Sequence, residues 1–277
     1  MNRYVLKIKC SDEKGLIYKI SNVLYKNSVN IEKNSEFVDN ENKKFFFRAR
    51  LDGDIKADEI KQELEEVLPN VAKVALHKKV KKKIVVFATK ESHCLGDILL
   101  KHNSGELNAQ ILCVISNYDT LRNLCERFDM EYHYISSENL ERVEHEQKIL
   151  DVLSGYELDY IVLAKYMRIL SENFVSKYEQ KIINIHHSFL PAFIGANPYK
   201  QAYKRGVKII GATAHFVNNN LDEGPIIAQN IIRVNHEFGW KDMQKAGRNV
   251  EKTVLSDALD LVLDDRIFIH NNKTIIF

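Results

Sequence analysis

The sequence predicts an α/β protein in two parts, a small βαββαβ unit followed by a larger, mostly parallel sheet with helices on both faces. Up to residue 76, short alternating strands and two amphipathic helices succeed one another around a central hairpin. From residue 84 on, short β-branched runs alternate with helical stretches, which is the pattern of strands buried on both sides. Between the two lies a dense run, Lys78, Lys79, Lys81, Lys82 and Lys83, that reads as a solvated joint because no aromatic or arginine residues interleave it. The expected boundaries are therefore 1–79, a linker at 80–83, and 84–277.

In the first part, residues 3 to 10 alternate as a strand, and Asp12 is placed to cap a helix beginning near Gly15. Leu16, Ile17, Ile20, Val23 and Leu24 recur at helical spacing and should form one apolar stripe. Asn27 to Asn30 ends that helix. Strands Ile31 to Val38 and Phe45 to Leu51 are joined by the turn Asp39-Asn40-Glu41-Asn42. Ala57 to Leu68 is a second helix, Pro69-Asn70 breaks it, and Val71 to Leu76 is the closing strand. This order is that of a ferredoxin-like unit.

In the second part, strands are expected at Ile84–Ala88, Gln110–Ile115, Tyr132–Ile135, Tyr160–Ala164 and Ile182–Ile185. Helices are expected from near His93, at Thr120–Phe128 and at Glu141–Leu153. Such a Rossmann-like arrangement puts its cleft at the carboxyl ends of the strands, where His93, Asn117, Tyr166 and His186 fall. A dinucleotide site is poorly supported, because the turn after the first strand, A-T-K-E-S-H-C-L-G-D, lacks the G-x-G-x-x-G arrangement, and there is no P-loop.

A chain of 277 residues that is 45% hydrophobic can bury a substantial core. Forty basic against 38 acidic residues leave a net charge of +2, which gives no electrostatic reason to expect nucleic acid. No window approaches the apolar length of a membrane span, and the N-terminus lacks a secretion signal, so a cytoplasmic location is expected. Cys10, Cys94, Cys113 and Cys125 form no C-x-x-C pair, which argues against a structural zinc or a redox dithiol. They read as small hydrophobes in a reducing compartment.

The segment N-I-H-H-S-F-L-P-A-F-I-G-A, residues 184 to 196, is where an apolar strand hands over to a polar loop. If the strand persists to His186, Asn184 and His186 leave the same face and His187 the other. An amide donor beside a proton carrier suits charge on a carbonyl oxygen. The polar turn from Asn218 to Gly224 offers Asp222 as a third partner, with His215 either supporting Asp222 from behind or satisfied as an ordinary structural histidine. No metal is expected, since no H-E-x-x-H or comparable motif is present, and Ser188 has no strained G-x-S-x-G turn. Pro191 and Pro198 restrict the loop that follows, and Gly195 permits a turn within it.

Two resemblances add to this. Residues 12 to 31, D-E-K-G-L-I-Y-K-I-S-N-V-L-Y-K-N-S-V-N-I, together with the βαββαβ order, resemble the ACT regulatory domain. That resemblance implies sensing of a small metabolite near Gly15 and side-by-side pairing. Residues 164 to 170, A-K-Y-M-R-I-L, the 184–196 segment, and G-A-T-A-H-F-V-N-N-N-L-D-E-G-P-I-I at 211 to 227 resemble the folate-dependent formyltransferase fold. With both parts, the chain resembles the formyltetrahydrofolate deformylase family over nearly its full length. The resemblance implies hydrolysis of 10-formyltetrahydrofolate, a substrate, to formate and tetrahydrofolate, with formate supplied for purine biosynthesis and no prosthetic group. Asn184, His186 and Asp222 match the family's catalytic residues, and Tyr166, Met167, Arg168, Ile169 and Leu170 match part of its pterin pocket, although residue by residue Met167, Ile169 and Leu170 also read as ordinary core. Glycine and methionine effectors and a homo-oligomer are likewise implied.

Two departures separate the chain from transferase relatives. Glycinamide ribonucleotide transformylases hold their acceptor's phosphate on a glycine- and serine-rich turn where this chain has K-E-S-H-C-L-G-D, and they tend to have proline where it has His187. The alternatives are a formyltransferase to an amine acceptor and a non-catalytic folate or amino-acid binding regulator.

Overall fold

The computed structural model describes residues 3–192 and 197–277. Residues 193–196 of the loop, with the expected turn at Gly195, lie outside the described residues. The chain divides into two compact units, Met1–Val80 with Ile275–Phe277, and Lys81–Thr274.

The first unit runs β1 (Arg3–Ser11), α1 (Leu16–Lys26), β2 (Asn30–Asp39), β3 (Lys44–Asp52), α2 (Ala57–Val67) and β4 (Lys73–Lys78). Its sheet is antiparallel in the order β2-β3-β1-β4. Alternation along the strands sets Leu6, Ile8, Cys10, Phe45, Phe47, Ala49 and Leu51 into one core with Leu16, Ile20, Val23, Leu24, Ile60 and Leu64 of the helices. Three local expectations need correcting. Asp12 does not cap α1: the N-cap is Gly15 at φ 87 with no side-chain cap bond, and the Asp12 backbone N–H donates instead to the Lys43 carbonyl. Ile17 falls on the solvent side of the stripe, 41% exposed. Val71 is not strand; it sits at φ 70 in the turn, and β4 begins two residues later.

The second unit continues with β5 (Lys82–Ala88), α3 (His93–Ser104), β6 (Ala109–Ser116), α4 (Arg122–Glu126), β7 (Tyr132–Tyr134), α5 (Arg142–Leu153), β8 (Tyr160–Leu163), α6 (Glu172–Lys177) and β9 (Ile182–His186). It closes with α7 (Pro198–Arg205), β10 (Ile209–Phe216), β11 (Ile226–Arg233), α8 (Trp240–Leu263), β12 (Ile267–His270) and β13 (Lys273–Ile276). The seven-stranded sheet has the order β11-β10-β9-β8-β5-β6-β7. Strands β5 to β9 pair in parallel, while β10 is antiparallel to β9 and β11 to β10.

Parity decides the two faces. Ile84, Val86, Val114, Val162, Ile183 and Ile185 pack with Leu95, Ile98 and Leu99 of α3 and Val254, Leu255 and Ala258 of α8. Val85, Phe87, Cys113, Ile115, Ile161, Leu163 and Ile182 pack on the opposite side with Ile149 and Leu153 of α5 and Phe174 and Val175 of α6. The order reverses between β5 and β8, so a crevice opens at their carboxyl ends.

Lys82 and Lys83, expected in the linker, are the first residues of β5. As a central strand, β5 extends its pairing to Lys82 opposite Ala109. Acids hold the two lysines there: the Lys82 ammonium lies 3.2 Å from Asp265, and the Lys83 N–H donates to the Asp159 carboxylate at 2.7 Å. The helix expected over 120–128 is shorter, Arg122–Glu126. All four cysteines are buried and unpaired with one another, and among the described residues no helix is long and apolar enough to cross a membrane.

Candidate active site

Strand β9 persists to His186, so Asn184 and His186 share the face that carries Ile182. The antiparallel register of β10 sets His215 directly opposite Asn184 and Thr213 opposite His186. Nδ1 of His215 lies 2.9 Å from the Phe216 carbonyl, which can only accept, so this nitrogen carries the proton. Its Nε2 is left to accept from the Asn184 amide at 3.2 Å. Burial, the largest effect, lowers the pKa of His215 and keeps the ring neutral in this role. His215 therefore orients Asn184. Its distance to Asp222, which it was expected to support, is 3.8 Å, too long for a hydrogen bond.

Asp222 arrives from the turn between β10 and β11 in the left-handed region at φ 58, a conformation Asp tolerates better than most side chains. Two residues on, Gly224 permits the turn to close: a Cβ there would lie 1.7 Å from the Phe216 carbonyl oxygen. The turn delivers the Asp222 Oδ1 to 3.2 Å from Nδ1 of His186. Burial pushes the Asp222 carboxyl up, but the hydrogen bond and charge of His186, with His215 behind it, outweigh burial and hold it below its ordinary value. With Nδ1–H donated to Asp222, His186 presents Nε2, which is buried and has no hydrogen-bond partner among the described residues.

These groups line a cleft of about 290 Å³ together with Tyr166, Met167, Arg168, Ile169 and Leu170. The 165–170 segment is tied at both ends. Thr89 Oγ1 donates to the Lys165 carbonyl at 2.7 Å, and the buried Glu146 of α5 accepts from the Ser171 N–H at 2.7 Å. Tyr166 is core, packed edge-on against Phe87 at 5.2 Å. Met167 and Ile169 depart from a core reading: they are 58% and 53% exposed. A stretch anchored at both ends that offers apolar side chains to a cleft provides a wall for a flat ring. Ser188 is not poised as a nucleophile, since its hydroxyl donates to the Ala192 carbonyl at 2.6 Å.

Beside the cleft lies a group that the sequence reading did not assemble. Glu251 of α8 is 1% exposed. It accepts from His93 Nε2 at 2.7 Å and from the Tyr199 hydroxyl at 2.6 Å, and it faces the Lys165 ammonium at 3.3 Å. Burial pushes the Glu251 carboxyl up, yet these partners hold it down at about 2. The available signal was an acid on the buried side of α8 among Val250, Val254, Leu255 and Ala258, a position that requires a charged partner. His93, Cys94 and Glu251 bring potential ligand atoms within 4.8 Å of one another. That group suits a cation poorly: burial raises the Cys94 thiol far above its ordinary value, and Lys165 already occupies the carboxylate.

The arrangement combines a fixed amide donor, an imidazole with one nitrogen open to a reacting atom, and an anion behind that imidazole. It can stabilise negative charge on a carbonyl oxygen and move a proton. Comparison with known proteins agrees with the two-part architecture. The ACT domain family model matches residues 4–69, and the Formyl transferase model matches 82–259. A formyltetrahydrofolate deformylase of Haemophilus influenzae is 54% identical, covering 100% of this chain and 99% of its own length. The chain belongs to the formyltetrahydrofolate deformylase family. Within that family, the crystal structure of a deformylase from Pseudomonas syringae pv. tomato superposes with a TM-score of 0.95 at 38% identity, covering 100% of this chain and 95% of its own. A glycinamide ribonucleotide transformylase from Symbiobacterium toebii matches less, with a TM-score of 0.67 at 27% identity over 70% of this chain and 93% of its own.

Proposed function

We infer that the chain hydrolyses 10-formyltetrahydrofolate to formate and tetrahydrofolate, with Asn184, His186 and Asp222 carrying the chemistry. The observation that carries this reading is the buried Nε2 of His186, unpartnered among the described residues, backed by Asp222 and adjoining Asn184 in a cleft with an apolar wall, in a chain of the deformylase family. The formyl group enters with its oxygen toward the Asn184 amide. Water attacks the carbon, a tetrahedral oxyanion forms, the bond to nitrogen breaks, and that nitrogen leaves protonated. Asn184 donates to the oxyanion, a contribution of roughly 3 kcal/mol for a preorganised donor. Nε2 of His186 carries the proton, and the resulting imidazolium rests against Asp222, whose depressed pKa keeps it anionic. The pterin lies along Tyr166–Leu170. Met167 and Ile169, exposed without it, are covered by the ring.

In this reading the 1–79 part is a regulatory ACT domain responding to glycine or methionine, 84–277 is the catalytic part, and the enzyme works as a cytoplasmic homo-oligomer supplying formate for purine synthesis. The deciding assay supplies 10-formyltetrahydrofolate with and without glycinamide ribonucleotide. Formate is expected at the same rate in both; consumption of the substrate only with the amine present, with the formyl group on the amine and no formate, would make the chain a transferase instead.

A further inference from the structure

His187 has no role in the scheme above, yet it lines the same cleft as Asn184, His186 and Asp222. His187 follows the last residue of β9, so strand parity does not hold for it, and contrary to the expectation that it points away, its ring lies beside that of His186. The ring centroid lies 5.3 Å from that of His186 and 5.9 Å from that of Tyr199. Among the described residues no hydrogen bond engages either ring nitrogen of His187, whereas the neighbouring Tyr199 hydroxyl is committed to Glu251. The charged and titratable groups around it come from every adjoining element: Lys165 after β8, Glu251 of α8, His186 on β9 and Asp222 from the turn. Burial first, and the Lys165 ammonium second, press His187 down to about 3. Lys165 stays in place because Glu251 anchors it at 3.3 Å. A neutral imidazole keeps one lone pair and one N–H, and at that basicity it accepts a hydrogen bond without taking the proton.

We propose that His187 is a further catalytic residue that binds the attacking water. The idea rests on the hydrolytic reading and names how the nucleophile is held. One water hydrogen is given to the bare nitrogen of His187 and the other to Nε2 of the adjacent His186, which leaves an oxygen lone pair directed at the formyl carbon. As the carbon–oxygen bond forms, that second proton moves to Nε2 of His186, and the imidazolium rests against Asp222, which stays anionic. The carbon–nitrogen bond then breaks as Nε2 of His186 gives its proton to the folate nitrogen, and formic acid departs, losing its remaining proton to solvent as formate. His187 holds the water throughout and ends the cycle unchanged.

The test compares wild type, His187→Ala and His187→Gln, with 10-formyltetrahydrofolate supplied and hydroxylamine present as a competing nucleophile. Hydroxylamine attack gives N-hydroxyformamide and tetrahydrofolate, so the ratio of formate to N-hydroxyformamide reports how well water is held. Wild type should yield mainly formate. His187→Ala should lower kcat for formate by about tenfold to a hundredfold with KM within about threefold, and shift the ratio toward N-hydroxyformamide. His187→Gln, which keeps an acceptor and preserves packing if the alanine variant folds poorly, should fall between them. Formate kcat within twofold of wild type in both variants, or an equal fall of both products at an unchanged ratio, overturns the role of His187. Absence of formate from wild type itself would instead sink the hydrolytic reading.

Discussion

Asn184 and His215 illustrate how one residue's chemistry is set by another's hydrogen bond. The His215 tautomer is dictated by a backbone carbonyl, and that tautomer turns the Asn184 amide so that its other N–H is available to an oxyanion. Asn184→Ala should lower kcat by about a hundredfold to a thousandfold with little change in KM. His215→Ala should cost about tenfold by releasing the amide, and the double variant should be no worse than Asn184→Ala alone, because both changes remove the same donor. Steady-state kinetics on the cycle checks this; multiplicative losses would mean that His215 acts elsewhere. Asp222→Asn keeps the shape and removes the charge, so it should lower kcat by about a hundredfold or more, and unchanged turnover would remove Asp222 from the mechanism.

Elements reach these positions through close approaches that only glycine allows. A Cβ on Gly224 would strike the Phe216 carbonyl, so Gly224→Ala should displace the turn that holds Asp222, destabilise the protein by about 1–3 kcal/mol and remove most activity. Gly247, in the middle of α8, faces Tyr199: a Cβ there would lie 2.0 Å from the tyrosine oxygen. Gly247→Ala should therefore destabilise by about 1–3 kcal/mol. In a Tyr199→Ala background the same change should stabilise by about 0.5–1 kcal/mol, because the clash is gone and alanine favours the helix. Chemical denaturation of the four proteins reads this reversal of sign directly.

The same contrast explains what was legible in the sequence. Asn184 and His186 were readable as a pair because a strand has period two, and the alternating apolar runs disclosed a sheet covered on both faces. The partner of His215 was not readable, since it depends on the antiparallel register of β10 against β9 in a sheet expected to be mostly parallel. Asp12 failed for a local reason, since Gly15 starts α1 in a left-handed turn and the cap is backbone geometry with no side chain, while Ile17 lies at the edge of the stripe formed by Leu16, Ile20, Val23 and Leu24. Met167 and Ile169 look like core by composition, and only the anchoring of their loop at Thr89 and Glu146 leaves them exposed to the cleft.

At the scale of the whole second unit, Glu251 joins the start of α3, the end of β8, α7 and α8 through His93, Lys165 and Tyr199. None of these residues is near another in sequence, apart from the constraint that a buried acid must find partners. Its folded pKa of about 2 lies below the ordinary carboxylate value of 4.5. The unfolded chain therefore binds a proton more readily, and the stabilisation is complete above about pH 4.5 and lost as pH falls toward about 2. A shift of this size corresponds to stability on the order of 3 kcal/mol. Glu251→Gln leaves Lys165 buried without its counter-ion, so at pH 7 the variant should be less stable by about 3–5 kcal/mol. The deficit should shrink as pH falls from 4.5 toward 2, because the wild-type carboxylate loses its charge there as well. Urea unfolding of both proteins across that range measures it; a deficit independent of pH would show that the glutamate contributes shape and hydrogen bonds alone, and that the Lys165 charge beside His187 is balanced by another group.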